Sequence, residues 1–193
     1  MANVPNHPGQ DAARRREVSK GQSPHAVIFG CSDSRVAAEI IFDQGLGDTF
    51  VVRTAGHVLD TTVIGSIEYG IQVLHVPLVV VLGHDQCGAV AAALHALRTG
   101  EQPAGFLRAV VDRVIPSILT VAGHGDHMPD PVVLRREHVR RTVEMVHAYS
   151  ATLGASIAAG AAAIVGVDYA LAEGMAHLID VVGDVGEEPI PAG

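Results

Sequence analysis

The chain has 193 residues, with 13 Lys and Arg against 21 Asp and Glu (formal charge −8), two cysteines, no tryptophan and 48% hydrophobic residues. That length suits one domain burying most of its apolar surface without disulfide staples. The acidity argues against a nucleic-acid partner, and two thiols build neither a disulfide scaffold nor a four-thiolate zinc site.

The polar start carries Arg14, Arg15 and Arg16 and lacks the apolar core of a secretory signal. Residues 1–24 read as an N-terminal arm with a short basic helix over Asp11–Lys20, its arginines on a solvated face. Residues 25–193 read as a single domain. Ala26-Val27-Ile28-Phe29, stopping at Gly30, predicts a buried strand. Val36–Phe42 follows as a short helix, and Thr49–Arg53, rich in β-branched residues, as a second strand. Val63, Ile67, Ile71 and Leu74 recur at helical spacing, which predicts a helix over Thr61–Leu74 capped by Asp60.

Leu78–Leu82 shows no polar alternation, so it predicts a strand covered on both faces. The surrounding apolar run, from Val76, contains Pro77 and is too short to span a bilayer, so no membrane partner is expected. Cys87–Leu97 is an alanine-rich helix, and Phe106–Val121 is a helix kinked or broken at Pro116. After a loop at His124–Pro131, Val132–Leu153 reads as one long helix. Val139, Val143 and Val146 face inward, and outward charges are paired as Glu137–Arg141 and Arg140–Glu144. Strands at Ala162–Val167 and Ala176–Val182 enclose a turn at Glu173-Gly174. Strands alternating with helices predict an α/β fold: a mostly parallel sheet flanked by helices.

Both cysteines follow strands, and ligand sites in open α/β sheets lie beyond the carboxyl ends of strands. His84 stands three residues before Cys87 in Gly83-His84-Asp85-Gln86-Cys87-Gly88. Such a turn can close on one ion, with Cys31 as third ligand. Two thiolates and an imidazole suit zinc, and three protein ligands leave the open position of a catalytic site. By charge count, two thiolates neutralise the ion and make it less electrophilic than three imidazoles would, so the site needs neighbouring help. Cys31-Ser32-Asp33-Ser34-Arg35 offers it. Asp33 can accept a hydrogen bond from metal-held hydroxide, and Arg35 can pair bidentately with Asp33, keeping it ionised and off the metal.

Blander readings stand beside these. Taken alone, Cys31 and Cys87 are buried small hydrophobes, His84 is structural, and Asp33–Arg35 is a surface ion pair of little worth. Tyr69 reads as core by its helical spacing. His57 is a candidate proton carrier, while His75, His95, His138 and His147 read as surface or helix-face residues. His124, Asp126 and His127 read as solvated loop rather than a second metal cluster.

Five segments, taken together and in order, resemble the β-class carbonic anhydrases. They are Gly21-Gln22-Ser23-Pro24; Cys31-Ser32-Asp33-Ser34-Arg35-Val36; Gly47-Asp48-x-Phe50-Val51-Val52-Arg53-x-Ala55-Gly56; Glu68-Tyr69; and Gly83-His84-x-x-Cys87-Gly88-Ala89-Val90. The resemblance implies four parallel strands plus an edge strand, and one zinc ion per subunit on Cys31, His84 and Cys87, with Asp33 and Arg35 as a catalytic dyad. It implies reversible hydration of CO₂ to bicarbonate and a proton by zinc hydroxide. Gln22 and the Gly88 N–H would contact substrate. Phe50, Ala55 and Tyr69 would line the CO₂ pocket, partly from a neighbouring subunit, in a dimer or a multiple of dimers.

Departures are a short segment before Cys31, His57 where the family often has Asn, and Ile28 where some bacterial members carry a Trp linked to inhibitory bicarbonate. With Gln22 present, Ile28 points to the constitutively open subtype. The expected location is the reducing cytoplasm. A relative hydrolysing another small linear molecule, such as carbon disulfide, and a non-catalytic zinc or scaffold protein are the alternatives.

Overall fold

Strands of six to eight residues build one sheet in the computed structural model, which describes residues 8–122 and 130–186. Its strands are β1 (Ala26–Cys31), β2 (Thr49–Thr54), β3 (Leu78–His84), β4 (Ala163–Ala170) and β5 (Met175–Val182), in the spatial order β2-β1-β3-β4-β5. The first four are parallel and β5 is an antiparallel edge, as the resemblance implied. The helices are α1 (Ala12–Val18), α2 (Ala38–Ile41), α3 (Thr61–Gln72), α4 (Gly88–Thr99), α5 (Leu107–Ile118), α6 (Pro131–Tyr149) and α7 (Ala151–Ala158), with a short helical turn at Ala55–His57.

Alternate strand residues face opposite ways. Val27, Phe29, Val79, Val81 and Ile164 pack against Val63, Ile67 and Ile71 of α3, Val139, Val143 and Val146 of α6, and Leu153 of α7. The other face, with Ile28, Val80 and Val167, lines part of a groove of about 360 Å³. A second core joins α4, α5 and the start of α6 through Val90, Ala93, Val111, Val114, Ile118 and Leu134. Cys31 and Cys87 belong to that cluster, so both thiols sit on an apolar wall at the carboxyl ends of the strands.

Several expectations are corrected. The helix read over Val132–Leu153 is two helices, because Ser150 adopts extended backbone (φ −106°, ψ 98°). Its Oγ accepts from Leu153 N–H at 3.0 Å and donates to Glu68 Oε1 at 2.7 Å, capping α7 and tying it to α3. Replacing Ser150 with alanine should cost about 1–2 kcal/mol, read by urea denaturation; unchanged stability would contradict this role. Pro116 does not break α5, which ends two residues later.

The charges of α6 are also less solvated than expected. Arg135 and Arg136 both turn onto Asp168, a fully buried carboxylate of β4. Glu137 is buried and paired with both Arg140 and Arg141, and Glu144 pairs with Arg141 rather than Arg140. In the N-terminal segment, Arg14 is not a free surface charge. It reaches Asp48 Oδ1 at 2.7 Å and the Leu46 carbonyl at 2.9 Å, clipping α1 to the turn before β2.

Candidate metal centre

Cys31 ends β1 and His84 ends β3, and these strands are parallel neighbours in the register Gly30↔Leu82. A turn at Asp85-Gln86 then delivers Cys87 as the N-cap of α4. The ligand atoms of Cys31, His84 and Cys87 all lie within 4.8 Å of one another, and the three residues are buried. His84 Nδ1 stands 2.7 Å from the Asp85 carbonyl, which can only accept, so Nδ1 carries the hydrogen. That leaves Nε2 as a lone-pair acceptor, buried and without a hydrogen-bond partner among the described residues.

The thiols cannot both ionise unaided. A hydrogen bond from Cys87 pulls the Cys31 thiol well down despite opposing burial, and His84 adds to this. The same bond, together with burial, pushes the Cys87 thiol up. Burial is the largest single influence on His84 and lowers it, but the Cys31 thiolate, the Asp85 carbonyl and the Asp33 charge together make the net direction upward. A divalent cation among the three groups would let both thiols ionise and would engage the bare Nε2. The donor set therefore fits zinc, with three protein ligands.

Gly56 N–H donates to Cys31 Sγ at 3.2 Å. Gly56 needs its positive φ of 65°, and a Cβ there would stand 2.6 Å from that of Ala89. Gly56→Ala should cost about 1–3 kcal/mol by thermal denaturation; a variant as stable as the parent would contradict the tight fit.

The Asp33–Arg35 pair forms as the sequence predicts. Arg35 Nε donates to Asp33 Oδ1 at 2.9 Å and Nη2 to Oδ2 at 2.6 Å, and the Arg35 backbone N–H also reaches Oδ1. These bonds hold the Asp33 carboxyl far below its ordinary value, with the Arg35 side chain the largest cause. Arg35 Nη2 also reaches the Gln86 carbonyl at 3.2 Å, linking the pair to the His84–Cys87 turn. Arg53, which the sequence places only in a strand and a motif, is a splint: from β2 it donates to the carbonyls of Cys31 (2.8 Å) and Asp33 (2.6 Å).

The remaining expected residues divide between two places. Ala55, just past β2, and Gly88, the first residue of α4, are both exposed at the strand ends that carry the candidate ligands. Phe50 instead pairs with Val27, four residues before Cys31, which is about 13 Å away at strand rise. It packs on Tyr69 with ring centroids 5.9 Å apart, and Tyr69 is 45% exposed rather than core. Gln22 is exposed on the segment entering β1, at the same far end. One chain thus does not bring Gln22, Phe50 and Tyr69 to its own Cys31, His84 and Cys87.

The histidines are also redistributed. His57 is only 2% exposed, both its ring nitrogens lack partners among the described residues, and burial keeps it well below its ordinary value. It is sealed and neutral, which removes it as a proton carrier to solvent. His138, read as a surface residue, is 1% exposed and stacks on His57 at 4.1 Å. His124, Asp126 and His127 lie outside the described residues.

The family model for carbonic anhydrase matches residues 26–176. Carbonic anhydrase 2 of Mycobacterium tuberculosis is 55% identical over 188 residues, 97% of this chain and 90% of that protein. The chain belongs to the β-class carbonic anhydrases. The carbonic anhydrase of Mycolicibacterium smegmatis is 54% identical over 187 residues, again 97% of this chain and 90% of the relative. A Coccomyxa β-carbonic anhydrase solved with acetazolamide shares the fold at a TM-score of 0.75 and 25% identity, covering 87% of this chain and 78% of that one. A β-carbonic anhydrase of Sordaria macrospora, described as tetrameric, matches at a TM-score of 0.75 and 23% identity, covering 85% and 84%. A carbonic anhydrase is an enzyme, so the non-catalytic scaffold reading falls.

Proposed function

We propose that this carbonic anhydrase hydrates CO₂ reversibly to bicarbonate and a proton, using one zinc ion per chain held by Cys31, His84 and Cys87. The observation that carries the reading is the bare, buried Nε2 of His84 grouped with two thiols beside an arginine-locked aspartate. When bound, zinc supplies a Lewis acid that makes water nucleophilic near neutral pH.

The chain's own groups then have distinct tasks. Asp33 stays ionised and accepts a hydrogen bond from the attacking water, fixing where its lone pair points. Arg35 holds both carboxylate oxygens, so Asp33 does not swing into the ligand set. The N–H of Gly88, in the first turn of α4, offers a donor to a bicarbonate oxygen. A cavity of about 310 Å³ beside Cys87 is lined by Val90, Leu94 and Leu134 together with Asp85, Gln86 and Arg135.

A second copy supplies Gln22, Phe50 and Tyr69 in this reading. Exposed Tyr69 and the open groove on the sheet face support self-association into dimers or multiples of dimers. The reducing cytoplasm, which keeps both thiols free, is the proposed location. Stopped-flow assay of the zinc-loaded chain tests the reading: CO₂ hydration should accelerate, stop on chelation and return with added zinc. No acceleration with zinc bound would contradict it.

A further inference from the structure

A buried polar chain runs behind Cys31. The backbone of Gly56 faces two ways: its N–H donates to Cys31 Sγ at 3.2 Å, and its carbonyl, in the next peptide group, lies 2.8 Å from His138 Nε2. That carbonyl can only accept, so Nε2 carries a hydrogen. Burial keeps His138 neutral, which leaves Nδ1 to accept from the Ser117 hydroxyl at 2.6 Å. The Val114 carbonyl lies 2.6 Å from Ser117 Oγ as well, so the single hydroxyl hydrogen is shared between that carbonyl and Nδ1. Ser117 and His138 are both buried, and His57 stacks on the His138 ring.

We infer that His138 is a positioning residue for the metal centre: it anchors the Gly56 carbonyl and so holds the Gly56 N–H on the Cys31 sulfur. The N–H and the carbonyl belong to the two peptide groups on either side of the Gly56 Cα, so the bond to His138 acts by fixing the backbone between them: a glycine at φ 65° with its carbonyl released is free to turn its N–H off the sulfur. A thiolate that accepts a hydrogen bond gives less charge to its metal. Two thiolates cancel the charge of a divalent ion, so this withdrawal restores electrophilicity where the ligand set removes it. Cys87 has its own source of withdrawal in the Ala89 and Val90 amides of α4. The inference rests on the zinc reading above.

Cobalt-substituted protein tests it by the thiolate-to-cobalt charge-transfer band. In His138→Phe the band should move to lower energy, and zinc affinity by chelator competition should fall about tenfold or more. His138→Gln, whose amide can reach the same carbonyl, should keep the parental band. An unmoved band in His138→Phe overturns the inference, as does an equal shift in both variants, which would mark packing alone. NMR of the unmutated protein gives a test free of variant folding. His138 should be protonated on Nε2, and the Gly56 amide should couple across its hydrogen bond to bound magnetic cadmium. Protonation on Nδ1, or no coupling, overturns the inference. An unmutated chain that takes up no cobalt overturns the metal reading, and this inference with it.

Discussion

Alanine in place of Cys31, His84 or Cys87 removes stoichiometric zinc and lowers CO₂ hydration by more than about a thousandfold, since a metal Lewis acid contributes several kcal/mol to such a barrier. The three ligands come from the end of β1, the end of β3 and the cap of α4, and no other His, Cys, Asp or Glu completes such a group among the described residues. Two remaining ligands on separate elements cannot hold a tetrahedral ion tightly. The fold should survive, because the apolar strands and α3, α6 and α7 pack on the sheet independently of the thiols. Elemental analysis of each purified variant, with circular dichroism as the folding check, reads the outcome. One zinc ion retained per chain in any variant would refute that ligand.

Asp33→Asn separates catalysis from binding. It keeps the side-chain shape but loses the charge, and an amide nitrogen facing Arg35 cannot accept the second bond of the fork. Zinc content should stay at one per chain while kcat falls about 10²- to 10⁴-fold, the range for losing a positioned proton acceptor. Asp33 reaches the metal region from the loop after β1 and is not a ligand, so zinc loss in this variant would point to a different role. An unchanged rate would remove it from the mechanism.

What could be read from the residues alone follows a physical divide. Strands such as Leu78–His84 announce themselves because burial on both faces demands an unbroken apolar run. Cys31, His84 and Cys87 are legible because strand ends in an α/β sheet converge on one rim, and Asp33–Arg35 because both partners lie on one short loop. Contacts made across the fold leave no such trace. Gly56 and His138 are 82 residues apart, and only the packing of α6 over the sheet joins them. The break at Ser150 involves neither glycine nor proline; it depends on Glu68, again 82 residues away.

Tyr69 has core-like spacing yet lies exposed against Phe50 of the edge strand β2, and the pocket role proposed for it, like that proposed for Gln22, comes only from family resemblance. Arg135 and Arg136 look like solvated charges until β4 brings Asp168 beneath them.

Zinc-edge X-ray absorption of the loaded enzyme tests the central assignment most directly. Two sulfur scatterers at about 2.3 Å and two nitrogen or oxygen scatterers at about 2.0–2.1 Å are expected, matching Cys31, Cys87, His84 and one exchangeable position. A shell without sulfur, or one of sulfur alone, would contradict it.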